Sequence, residues 1–278
     1  MKAAAFDYRR AETLADALAV AEGDARWLAG GQSLGPALNL RLATPQRLVD
    51  IRRLAPLRAH AVRDGRLTIG AAITHAEIED GLLADTTQGM LPAVARNIAY
   101  RAIRNRGTIG GSLAHADPAA DWVNCLIALG ADCRIAGARG ERQVPAEQFI
   151  RGAYQTALTA GELLTSIELP RFGPRMRWGY YKICSKVGEF ASAIGAVVHD
   201  PDAGVLRLLA GAIEARPLLL PELAPVLDMH VERAREVIAA ELATRLPKAG
   251  EVFVHQHAVA LARAIEQMRA RDRVDARP

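Results

Sequence analysis

The chain has 278 residues, 50% of them hydrophobic and 24% charged, with a formal net charge of +4; it is long and apolar enough to bury a core in roughly two or three compact units. It lacks any apolar run near the ~20 residues of a membrane span, and its N-terminal MKAAAFDYRRAET lacks a secretory-signal pattern, so a cytoplasmic location is expected. Three cysteines, Cys125, Cys133 and Cys184, are spaced against a zinc knuckle or a local iron–sulfur motif, their odd number argues against a disulfide framework, and they are expected to be buried free thiols, while arginines spread over the whole length suit an acidic partner or a phosphate ligand as well as nucleic acid.

In chain order, Leu14, Ala17 and Leu18 share one helical face over 13–22, with Gly23 as a stop. The short run Arg26-Trp27-Leu28-Ala29 reads as extended and ends at Gly30-Gly31. Leu34, Leu38 and Leu42 resume helical spacing, and Leu48-Val49-Asp50-Ile51 reads as a strand. The first unit, 1–55, is therefore strand, helix, strand, helix, strand.

The second unit, 56–172, opens with a strand at 67–70, followed by Thr74-His75-Ala76-Glu77, which has the spacing of a capping box. Leu91, Val94 and Ile98 mark another helix face. A loop over 107–112 follows, and Asp117-Pro118 is expected to cap and start a helix carrying Trp122, Val123, Leu126 and Leu129. Strands are expected at 134–135 and 165–169. The Pro/Gly/Arg-rich stretch 170–175 separates a third unit, 173–278, with strands at 178–183, 192–198 and 205–213 and then helices. Mixed strands with segregated helices point to an α+β protein rather than a doubly wound parallel sheet.

Two segments carry chemical information, Ala29-Gly30-Gly31-Gln32-Ser33 and Thr108-Ile109-Gly110-Gly111-Ser112. Glycine pairs flanked by hydroxyl residues let backbone N–H groups approach a ligand unobstructed. With a helix start behind them they suit a pyrophosphate, and two such loops can grip one dinucleotide. Neither is a Walker A loop or a Gly-x-Gly-x-x-Gly fingerprint. For either loop alone a plain tight turn is the favoured reading, and only the two together leave both readings open.

The string IRNRGTIGGSLAHADPAADW, with LAGGQSLGPALNLRLATPQRLVDI, resembles the FAD-binding medium subunit of the xanthine dehydrogenase and carbon monoxide dehydrogenase family. LLTSIELP, YYKICSKVGEFASAIGAVV and HAVALARA extend the resemblance over nearly the whole chain. It implies a vanillyl-alcohol-oxidase-type fold, with FAD between two N-terminal α+β subdomains and a C-terminal domain of sheet plus helices. It puts Ala29, Gly30, Gly31, Gln32, Ser33 and Leu34, with Thr108, Ile109, Gly110, Gly111 and Ser112, on the pyrophosphate and ribityl region. Asp121 matches a carboxylate that accepts from a ribose or ribityl hydroxyl; as a first-turn helix carboxylate it also complements the helix dipole. Leu164 and Lys182 match positions near the isoalloxazine, where a lysine favours the anionic reduced ring. Ile98 is a candidate for packing on the ring, its helical spacing fitting core burial equally well.

The resemblance further implies FAD as the only cofactor on this chain, with molybdopterin-molybdenum on a large partner subunit, 2Fe-2S clusters on a small one, and a dimer of heterotrimers. No metal ligand and no catalytic residue are expected here, since electron transfer to a flavin needs no general base on this chain; His115 is read accordingly. Gln32 stands where relatives often carry His, Ser112 where many carry Asn and Phe190 where some carry Tyr, and the cysteine-rich 4Fe–4S insertion of some relatives is missing. The alternatives are a stand-alone FAD-dependent reductase or oxidase, for which no motif supplies a proton donor, and a basic nucleic-acid protein, for which the cluster Arg101, Arg104 and Arg106 lacks interleaved aromatics.

Overall fold

The computed structural model describes residues 2–20 and 23–275. β1 (Asp7–Arg10), α1 (Leu14–Ala19), β2 (Ala25–Leu28), α2 (Leu34–Asn39) and β3 (Arg47–Asp50) build a parallel sheet in the order β1-β3-β2. Parallel neighbours need crossovers, and the two short helices supply them. Thr13 starts α1 by accepting from the N–H of Asp16 at 3.0 Å. The helix expected over 13–22 closes earlier, where the N–H of Val20 turns back to Asp16 and Ala17; positions 21 and 22 lie outside the described residues. Helix α2 also stops short of Leu42, which is 79% exposed. Arg41 takes a left-handed φ of 57°, and Leu42 N–H reaches Ala37 O at 2.9 Å in a Schellman closure built on arginine instead of glycine.

On the central strand, Asp50 is 1% exposed. It accepts from Tyr8 Oη at 2.5 Å and Arg52 Nη2 at 2.6 Å. Burial pushes its carboxyl up, but the Arg52 and Tyr8 hydrogen bonds outweigh that and hold it well below the usual range.

Next come α3 (Ala55–Arg58), β4 (His60–Arg63), β5 (Arg66–Gly70), α4 (His75–Glu79), α5 (Met90–Arg96), α6 (Arg101–Arg104), α7 (Ile109–His115) and α8 (Asp121–Ala128). They are followed by β6 (Asp132–Gly137), β7 (Gly140–Pro145), α9 (Ala146–Phe149), the small hairpin β8 (Ile150–Gly152) and β9 (Gln155–Thr156), and β10 (Leu163–Leu169). An antiparallel sheet runs β4-β5-β10-β6-β7. Its core gathers Leu67, Ile69, Met90, Trp122, Leu126 and Phe149. Thr74 and Glu77 form the expected capping box at α4.

Helix α8 is buried on every side, as an all-round apolar helix must be. It begins at Asp121, not at the expected Asp117-Pro118. Asp117 Oδ1 instead accepts from Ala119 N–H at 2.9 Å, a turn ahead of the helix. Asn124 secures that turn by donating to Pro118 O and Ala120 O, each at 2.9 Å.

The third sheet is antiparallel, β11 (Arg177–Ile183), β12 (Ala193–Asp200), β13 (Val205–Gly211) and β14 (Leu218–Leu219) in that order. A 3-10 turn (Pro221–Asp228) leads to α10 (Val231–Arg245) and α11 (Glu251–Asp275). Helix α11 lies across β11 and β12, and two glycines make that approach possible. A Cβ on Gly179 falls 1.8 Å from Ala264 O, and one on Gly195 falls 2.4 Å from Ala260 O. The small residues of HAVALARA therefore meet glycines on the sheet, backbone to backbone. Cys125 and Cys133 are buried, whereas Cys184, expected to be buried, is only half so because it stands where β11 runs out into a loop. Among the described residues no helix is long and apolar enough to cross a membrane.

Candidate cofactor site

The first glycine segment links β2 to α2. Gly30 is buried, and a Cβ there would fall 2.2 Å from Arg106 O and 2.7 Å from Gly107 Cα. Gly31 has φ +71°, and its carbonyl accepts from Gly35 N–H at 2.9 Å. Gln32 Nε2 donates back to Gly30 O at 3.2 Å. The N–H groups of Gly31, Gln32, Ser33 and Leu34 meet no acceptor among the described residues. Ser33, the residue ahead of α2, makes no capping bond with its hydroxyl.

The second segment behaves differently from the loop expected at 107–112. It is the first turn of α7, with Thr108 as cap and its Oγ1 accepting from Gly111 N–H at 3.1 Å. Ile109 N–H goes to Ile73 O and Gly110 N–H to Ala71 O, each at 3.0 Å, and Ser112 N–H goes to Thr108 O at 3.0 Å. The N–H groups of 109–112 are thus consumed within the chain. Gly110 is glycine because Ala71 lies against it, with the Cβ position 2.4 Å from Ala71 Cβ. This segment offers a ligand the Ser112 hydroxyl, while the donor row belongs to the first.

The two segments meet each other. Gly30 touches the backbone at 106–107, and a Cβ on Gly111 would sit 3.5 Å from Ala29 Cβ. Behind them Gly107 packs on buried His75, its Cβ position 2.7 Å from Nε2. His75 Nδ1 accepts from Trp122 Nε1 at 2.9 Å. Burial, with a smaller contribution from the Arg104 charge, lowers its pKa to about 4.

Leu164 is buried in the main core. It lies at a β10 bulge, and β5 ends opposite Ser166, so at Leu164 the strand has no partner on that side. Thr165 O at the bulge accepts from Ala71 N–H at 2.9 Å, which ties β10 to the turn under Gly110.

Asp121 and Lys182 form one unit. Lys182 Nζ lies 3.0 Å from Asp121 Oδ2 and donates to Asn97 O at 2.8 Å. Tyr180 Oη donates to Asp121 Oδ1 at 3.0 Å. Burial pushes the Asp121 carboxyl above its ordinary range while Lys182 and Tyr180 pull it back; burial and then the Asp121 charge push the Tyr180 phenol up. Both oxygens that the sequence reading turns toward a cofactor hydroxyl therefore have partners within the chain, and the Lys182 ammonium spends two of its donors here. Ile98, half-buried, follows directly on Asn97 beyond the end of α5.

Tyr180 and the Asn97 carbonyl are absent from the sequence reading. Tyr180 was within its reach, since residues two apart on a strand share a face and Tyr180 precedes Lys182 by two. The Asn97 carbonyl carries no sequence signal. Arg101 and Arg104 pair with Glu79 and Asp80, which makes them fold supports. His115 lies exposed with its ring 5.2 Å from Tyr154, and Phe190 is 69% exposed.

Residues 4–172 match the model of the FAD binding domain in molybdopterin dehydrogenase, a span that holds both glycine segments, Asp121 and Leu164. The chain belongs to this family. This FAD-binding oxidoreductase subunit is 36% identical to the carbon monoxide dehydrogenase medium chain of Afipia carboxidovorans, over 96% of this chain and 97% of that one. Its fold is similar to a chain of quinoline 2-oxidoreductase from Pseudomonas putida 86, with TM-score 0.86, 33% identity, and coverage of 96% of this chain and 98% of that chain. It is equally similar to a chain of carbon monoxide dehydrogenase from Hydrogenophaga pseudoflava that lacks the Mo-pyranopterin moiety of the molybdenum cofactor. There the TM-score is 0.87 at 30% identity, covering 98% of this chain and 99% of that chain. Mixed α/β architecture with several sheets is common to them.

Proposed function

We propose that this chain binds FAD across the two glycine segments and acts as the electron-transfer medium subunit of a heteromeric molybdenum hydroxylase. The observation that carries the reading is the row of N–H groups at Gly31, Gln32, Ser33 and Leu34 without acceptors. Unmatched backbone donors in succession ahead of a helix favour an anion, and a dinucleotide pyrophosphate supplies one. Gly30 is buried against the second segment and Gly31 turns through positive φ, so at these two positions the backbone carries no side chain of its own. Ser112, on α7, supplies a hydroxyl from the facing segment.

In this reading residues 1–55 and 56–172 are the two subdomains of a vanillyl-alcohol-oxidase-type fold and 173–278 the third domain. The ring lies toward Ile98, the open β10 edge at Leu164, and Lys182. Lys182 retains one N–H beyond its bonds to Asp121 and Asn97. Asp121 fixes the ammonium and so sets where its positive charge stands. Bound FAD stores two electrons that can arrive singly. A large subunit with molybdopterin-molybdenum would carry the substrate chemistry and a small subunit with 2Fe-2S clusters would deliver electrons here, for release to an external acceptor.

Titration of the purified full chain with FAD and with riboflavin tests the site. FAD is expected to bind far more tightly, because riboflavin brings no phosphate to the donor row. Equal affinity for the two, or a folded chain that takes up neither, overturns the placement. Co-purification from the native host with molybdenum and iron in one complex tests the assembly, and an active FAD-only monomer would overturn it.

A further inference from the structure

Three consecutive carbonyls beyond the end of α5 each receive a cation. Asn97 O accepts from Lys182 Nζ at 2.8 Å. Ile98 O and Ala99 O both accept from Arg104 Nη1, at 2.9 Å each. Helix C-termini leave carbonyls without intrahelical partners, and a side chain or water must take them. Here Lys182 from β11 takes the C-cap carbonyl of Asn97, and Arg104 from α6 takes the next two carbonyls, beyond the helix.

The turn they hold is held against resistance. Ala99 has φ +42°, a left-handed conformation for a residue with a Cβ. Its carbonyl also limits the next element, since a Cβ on Gly188 would stand 2.8 Å from Ala99 O. The loop carrying Val187 and Phe190 therefore docks on the same carbonyl that Arg104 fixes. Arg104 is itself anchored. Its Nε and Nη2 donate to Glu79 at 2.7 and 3.1 Å, with side chains 11% and 12% exposed.

Mere attachment of α6 does not explain this arrangement. Arg101 already ties α6 to α4 through Asp80 and Glu79. What Arg104 adds is the pair of carbonyls. Only a planar fork of donors can face a carboxylate on one side and two carbonyls on the other; a lysine ammonium cannot.

We infer that Arg104 is a positioning residue for the flavin ring, acting through the 97–99 turn and anchored by Glu79. The inference rests on the proposed placement of the ring beside Ile98 and Lys182. Arg104 touches no cofactor; it determines where Ile98 and the 186–190 loop stand, while Asp121 and the Asn97 carbonyl at the start of the same turn hold the Lys182 ammonium.

The test compares full chains carrying Arg104→Gln, Arg104→Lys, Glu79→Gln and Ile98→Ala with the wild type, each loaded with FAD. Readouts are the FAD dissociation constant, the visible circular dichroism of the bound flavin, its midpoint potential and the thermal unfolding temperature. Arg104→Gln should keep FAD, because the glycine segments are untouched, with the dissociation constant rising by no more than about tenfold. Its visible dichroism and potential should move as in Ile98→Ala, and Arg104→Lys should restore them only partly. If Arg104→Gln is poorly folded, Glu79→Gln takes its place and should move the same two readouts in the same direction.

A lowered unfolding temperature with wild-type dichroism and potential, while Ile98→Ala changes both, overturns the role of Arg104 and leaves the site intact. Wild-type dichroism and potential in Ile98→Ala overturn the ring placement, and the role of Arg104 with it.

Discussion

Lys182 Nζ stands 3.0 Å from Asp121 Oδ2, and the two side chains are 11% and 9% exposed. Removing one partner leaves the other as a buried charge. Lys182→Met is expected to cost about 3 kcal/mol or more, whereas exchanging both partners for apolar side chains recovers much of it. Urea unfolding of the cofactor-free chain measures this. A cost below about 1 kcal/mol in the single variant would mean that the pair behaves as a solvent-screened surface bridge.

The glycines divide by what a methyl group would meet. Gly110→Ala drives a Cβ to 2.4 Å from Ala71 Cβ and 2.7 Å from Ala71 O, and Gly30→Ala drives one to 2.2 Å from Arg106 O. Each should lower stability by roughly 1–3 kcal/mol or prevent folding, whether or not FAD is present. Gly35, within α2, has nothing within 4 Å of its Cβ position, so Gly35→Ala should be neutral or stabilising by up to about 1 kcal/mol. Thermal unfolding of the three variants checks the contrast. A normal melt for Gly110→Ala would show that Ala71 can move aside.

His75 has its pKa lowered by burial from 6.5 to about 4. The folded chain holds it neutral, with Nδ1 occupied by the Trp122 N–H, while the unfolded chain takes up a proton first as the pH falls. Its stabilising contribution is therefore complete above pH 6.5, declines between 6.5 and about 4, and is spent below that. On the order of 3 kcal/mol is at stake. Unfolding free energies at pH 7 and pH 5 should differ in the wild type and differ less in His75→Gln. Parallel pH profiles for the two would refute the assignment.

The thiols should react in order of access. Burial raises Cys125 well above the ordinary thiol range and Cys133 to about 12, leaving both protonated and covered. Cys184 is partly exposed. A disulfide reagent added to the native chain should label Cys184, and the other two only after denaturant is added. Labelling of Cys125 in the native state would reveal opening around α8.

Much of the local structure was legible in the residue order. The capping box of Thr74 and Glu77 depends on bonds within three positions, which spacing encodes directly, and the alternation of strand and helix in the first unit follows the periodicity of its apolar residues. The strings resembling the FAD-binding medium subunits were legible as residue order itself. Tertiary structure alone decided which donors remain available. The N–H groups of Gly110 and Ile109 are taken by Ala71 and Ile73, residues on a distant turn placed there by the register of β5 and the bulge of β10. It also decided that Lys182, 61 positions from Asp121, is its partner, and that Glu79, 25 positions from Arg104, anchors that guanidinium. Residue types state which groups can bond. Only packing, by bringing remote groups to within 3 Å and keeping water out, states which of them do.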